Sequence, residues 1–62
     1  MRGSDFKKLI SAGFRIFRLR NDGTIWQNQT GLAWSLYNRY PSFAEAKRRF
    51  NELMKDDKNV EG

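Results

Sequence analysis

Four arginines at strand-like spacing, Arg15, Arg18, Arg20 and Arg39, are the residues of this sequence best suited to chemistry. They are interleaved with Trp26, Tyr37 and Phe14. A guanidinium group is planar, always charged and presents five donors, which suits it to phosphate oxygens and base edges. An aromatic side chain on a sheet offers a face on which a base can stack. The same residues also meet a plainer need, because a strand face turned to water must be polar and Trp26 is equally at home in a core.

Other chemistry is missing from the sequence. There is no histidine to serve as a base near neutral pH and no cysteine nucleophile. Glu45 and Glu52 stand seven residues apart with arginines at helical spacing, Asp22 belongs to a turn, and the isolated glycines form no phosphate-cradling loop. The expectation is a protein that is not an enzyme, with no cofactor and no metal site. The charge is unevenly spread. Residues 1–20 hold six basic groups against Asp5 and so carry the whole net charge of +5, while the last third balances its own charges. Met1-Arg2-Gly3-Ser4 also fits an expression remnant, so Arg2 carries no weight in this reading. Such an excess serves solubility in a small domain, or it forms a patch for an anionic partner. No apolar run approaches the roughly 18 residues of a membrane span, and the first residues hold no signal-peptide apolar stretch. With no cysteine, the default compartment is cytoplasmic.

The elements that must position these arginines can be read from pattern. Sixty-two residues make one domain. Without disulfides, its stability must come from its nine aromatic side chains. Ser42 and Glu45 make an S-x-x-E capping box ahead of Phe43, Ala46, Phe50, Leu53 and Met54, which form one stripe on a helix. Glu45 reaches Arg48 and Arg49 at i,i+3 and i,i+4, so Lys47, Arg48 and Arg49 read as a solvated helix face. Phe14 to Arg20 reads as a strand, Asn21-Asp22-Gly23 as a hairpin turn, and Thr24 to Gln29 as the returning strand. Thr30-Gly31 turns again, and Leu32 to Tyr40 makes a third strand. The fold class expected is α+β, a small two-layer domain in which a three-stranded antiparallel sheet is packed by a C-terminal amphipathic helix (βββα).

Hairpin register stays open at this level. A three-residue loop sets Arg18 across from Trp26 and Leu19 with Ile25, whereas a two-residue loop sets Arg18 beside Gln27 and Leu19 beside Trp26. In both, Phe17 and Leu19 turn to the helix and Arg18 and Arg20 turn away. Leu32, Trp34 and Leu36 are expected to face that helix as well. Phe14 and Ile16 are left on the far face and need a cover. Phe6, Leu9 and Ile10, ended by Gly13, supply one as a short helix, and a second subunit or a ligand would serve too. The chain thus divides into an N-terminal segment over 1–13, helical or flexible, a βββα domain over 14–58, and a loose tail over 59–62.

The order of hairpin, third strand and packing helix resembles the three-stranded DNA-binding domains of the AP2 and integrase-arm type. In those the sheet enters the major groove and the helix braces it from behind. The resemblance implies DNA contact from Arg15, Arg18, Arg20, Trp26 and Arg39. The segment from Phe43 to Asp57 is also similar to short proteins of phage and conjugative elements, which implies a mobile-element origin. Two readings therefore stand: a nucleic-acid-binding module using a basic sheet face, and a protein-interaction or self-associating module using Phe14 and Ile16. Neither involves a membrane.

Overall fold

The computed structural model describes residues 3–62, with side chains from Asp5 onward; Arg2 lies outside the described residues. The elements are α1 (Gly3–Ser11), β1 (Arg15–Leu19), β2 (Thr24–Asn28), β3 (Trp34–Arg39), α2 (Phe43–Leu53) and β4 (Asn59–Glu61). The class is α+β, but the sheet is four-stranded and mixed, in the order β3-β2-β1-β4. The expected loose tail is its fourth strand. Arg15 N donates to Lys58 O at 2.7 Å and Gly62 N to Phe17 O at 3.0 Å, and β4 runs parallel to β1 with Ile16 beside Val60. Side-chain hydrogen bonds hold the turn that aims it. Asp56 Oδ1 accepts from Lys58 N, and Asn59 Nδ2 donates to the carbonyl of Leu53 at the end of α2.

The hairpin adopts the three-residue loop. Leu19 pairs with Ile25 and Arg18 with Trp26, and Arg20 N donates to Thr24 O. Gly23 closes this loop at φ +86°, a conformation that side-chain-bearing residues rarely adopt. Its N–H bonds Arg20 O, and its carbonyl accepts from Tyr40 N, so the same turn anchors the end of β3.

Alternation on β1 divides the core between two faces. Phe17 and Ile25 pack against Phe50 of α2, with Leu19, Tyr40, Leu53 and Met54 around them. Ile16, 1% exposed, faces the other way beneath α1, together with Phe6. The expected two layers are therefore three, with α1 and α2 on opposite faces. α1 closes as a Schellman turn, with Gly13 N bonded to Ile10 O and Phe14 N to Leu9 O.

Strand β3 departs most from expectation. Ile25 pairs with Asn38 but Trp26 pairs with Leu36, so Tyr37 is an extra, bulged residue. The bulge sets Tyr37 against Phe17 at 5.0 Å on the α2 side. It leaves Trp34 and Leu36 on the opposite side, so the set Leu32, Trp34 and Leu36 does not meet α2. Leu32 precedes the strand and is 78% exposed. Phe43, at the first position of α2, is 43% exposed and also misses the core. Ser42 caps that helix as expected, its Oγ accepting from Glu45 N at 3.2 Å.

Two stability tests follow from this packing. Phe50→Ala should lower the unfolding free energy by about 3–5 kcal/mol, enough to unfold so small a domain. Phe43→Ala should cost well under half of that, and denaturant titration distinguishes the two. Gly62 sits where a Cβ would lie 2.5 Å from Ile16 Cγ2 and 3.0 Å from Phe6 Cε1. Gly62→Ala should therefore speed amide exchange in β4, whereas unchanged exchange would mean that the contact relaxes freely.

Candidate nucleic-acid interface

Cross-strand partners share a sheet face, and positions two apart along a strand repeat it. The pairings sort the face opposite α2 into three rows across β1, β2 and β3. The first is Ile16, Asn28 and Trp34, and the second is Arg18, Trp26 and Leu36. The third is Arg20, Thr24 and Arg39. α1 stands on the first row, where Phe6 meets Trp34 edge to face at 5.6 Å. In the other two rows Arg18, Arg20, Leu36 and Arg39 are exposed and Trp26 is half-buried.

The arginines here are ordered by the tryptophans. The Arg18 guanidinium carbon lies 4.1 Å from the ring centroid of Trp34, and that of Arg20 lies 5.8 Å from the ring of Trp26. Arg18 Nε also donates to Gly62 O at 3.1 Å, so β4 steadies the side chain from its other flank. Stacking and one bond leave the Nη groups of Arg18 to seek acceptors, with less rotamer freedom to lose on binding. Ion pairs between described residues all lie on α2, where Glu45 holds Arg48 at 2.6 Å and Arg49 at 3.2 Å. Among the described residues, no Asp or Glu side chain forms an ion pair with Arg18, Arg20 or Arg39.

A hydrogen-bonded chain fixes Trp26. Its Nε1 donates to Thr24 Oγ1 at 2.8 Å, and the Thr24 hydroxyl in turn donates to Asp22 Oδ1. The same carboxylate accepts from Thr24 N at 3.1 Å. The Thr24 hydroxyl, then the Thr24 amide and the nearby Arg20 charge, hold the Asp22 carboxyl below its ordinary value of 3.8. The hairpin turn thereby sets the indole plane.

The structure brings together Arg18, Arg20, Arg39 and Trp26, four of the five residues expected at the site. Arg15 is not with them. It pairs with Asn59 on the α2 side of the sheet, because it alternates with Ile16 in β1. Trp34, expected in the core, joins the site as the platform under Arg18. Finding it from sequence would have required the β2–β3 register, which depends on the Tyr37 bulge. The surface expected for a protein partner is largely closed. Ile16 lies beneath α1, and Phe14 is half-buried with Lys58 Nζ 4.5 Å over its ring. What stays open there is a recess of about 220 Å³ lined by Ile10, Phe14 and Ile16 among others.

The opposite side of the molecule has a different character. An open cleft of about 410 Å³ lies between the β3 bulge and the end of α2, lined by Tyr37, Tyr40, Glu52 and Asp56 among others. Both signs of charge line it, since Arg49 stands there beside Glu52 and Asp56. Among the described residues no group of His, Cys, Asp or Glu could hold a metal ion, and no helix is long and apolar enough to cross a membrane. No protein-family profile matches the chain, and comparison with curated proteins and with solved structures likewise finds no match.

Because the folded pKa of Asp22 is depressed, its bonds to Thr24 stabilise the turn above about pH 4 and are lost as pH falls through the folded value. With Trp34→Phe leaving Trp26 as the single indole, its emission should change across that acid range. Asp22→Asn should remove the transition, and a transition that persists would place the titrating group elsewhere.

Proposed function

We propose that this chain is a small, non-catalytic nucleic-acid-binding module that uses the open rows of its sheet. One observation carries the reading: Arg18, Arg20 and Arg39, with no Asp or Glu ion-pair partner among the described residues, share one face with both tryptophans. Phosphates are the acceptors that suit such a set, because guanidinium donors pair with their oxygens and the Trp26 ring can take a base face. The asymmetry of the molecule supports this. Arg48 and Arg49 of α2 already have a carboxylate partner in Glu45. α2 braces the sheet from behind, as the resemblance to three-stranded DNA-binding domains implies. A cytoplasmic location and a mobile-element origin belong to the same proposal.

Salt dependence tests it. Three neutralised phosphates predict a log–log slope of about −2 to −3, at roughly −0.7 each on single strands and −0.9 each on duplex. Arg18→Ala with Arg20→Ala should flatten the slope by nearly two-thirds and weaken all sequences alike, because phosphate contacts carry no base information. Arg48→Ala with Arg49→Ala should change it little. Equal losses from the two pairs would reduce the site to a diffuse basic surface. No binding tighter than about millimolar at low salt would remove the module altogether.

A further inference from the structure

We infer that the open rows take a single strand with unstacked bases rather than a duplex, an inference that rests on the nucleic-acid reading above. The reason is the position of α1. A sheet reads duplex DNA by entering the major groove, about 12 Å wide, between two phosphate backbones. Rows two residues apart on a strand are separated by only about 7 Å. α1, with a helix diameter of about 10 Å, already stands on the first row through Phe6, Ile16 and Trp34. A groove seated over the second and third rows would bring one of its walls onto that helix. A single strand has no second wall. It can lie along the open rows beside α1.

The chemistry of the surface agrees with this. Trp26 has its one donor occupied by Thr24, so the ring face is what it offers a ligand. Every base has a π-face, but in a duplex those faces are stacked on neighbours and out of reach, whereas a single strand can present them. Arg18 on Trp34 and Arg20 near Trp26 extend the platform with guanidinium planes, on which bases also stack. Arg20 and Arg39 sit on the two strands flanking Thr24, one row from Trp26, so a phosphate next to a base stacked on Trp26 meets a cation. Recognition of this kind tolerates any base.

The test is a fluorescence titration of the full chain with oligothymidine, oligouridine and a dA–dT duplex, each of about 12 nucleotides or base pairs. At equal salt, at least one single strand should bind about tenfold or more tightly than the duplex. Trp26→Ala should remove most of that preference while leaving the salt slope unchanged, and Trp26→Phe should restore it. In the Trp34→Phe variant, Trp26 emission should be quenched by the single strand, a readout independent of whether Trp26→Ala folds. Duplex binding as tight as single-strand binding, with the salt slope intact, would overturn the inference and leave the nucleic-acid reading standing. Unquenched Trp26 in a bound complex would also overturn it. Binding to none of the three would overturn both.

Discussion

The left-handed Gly23 residue in the β1–β2 turn is the constraint on which the rest of the structure depends. It permits the three-residue loop, and the loop length decides which of two registers the hairpin takes. In a sheet packed on both faces, a slip of one residue on β2 would exchange the neighbours of every side chain on β1. Trp26 would then stand beside Leu19 on the α2 side instead of opposite Arg18. The turn also extends beyond its own hairpin. Gly23 O holds the end of β3 through Tyr40 N, and Asp22 holds Trp26 through Thr24. Backbone geometry at one position thus sets the register, the edge strand and the indole together.

How much of this was legible in the sequence differs from element to element. The Ser42 cap, the Phe50 side of α2 and the order of β1, β2 and β3 follow from local signals, because capping and hairpin turns are decided within a few residues. Phe6, Leu9 and Ile10 marked α1 for the same reason. β4 is not legible in the sequence because three residues with one β-branched side chain carry no periodicity. Its pairing depends on β1, far away in sequence. The alternation of β3 does not show in the sequence because a bulge adds one residue to the count, so Trp34 and Leu36 lie off the α2 side while Tyr37 lies on it. Phe43 satisfied the helical stripe, but the first turn of α2 overhangs the core.

At the site, Arg18 and Arg20 were readable from alternation alone, since both registers turned them away from α2. Arg15 was grouped with them by charge, and strand geometry separates it. Trp34 was the opposite case, a large aromatic assigned to packing that serves both packing and the surface. Its edge meets Phe6 and its face carries Arg18, so the same ring closes the α1 side and begins the open rows.

The parallel pairing of β4 with β1 carries a kinetic consequence. Arg18 and Gly62 are 44 residues apart in sequence, and β1–β4 pairing spans a comparable distance. Contacts of such long range are entropically expensive to close, so they form after the local hairpin and helices have assembled. A short edge strand that closes late is also among the first elements to open. Arg18 therefore owes part of its ordering to the segment that folds last, and the surface it serves is complete only at the end of folding.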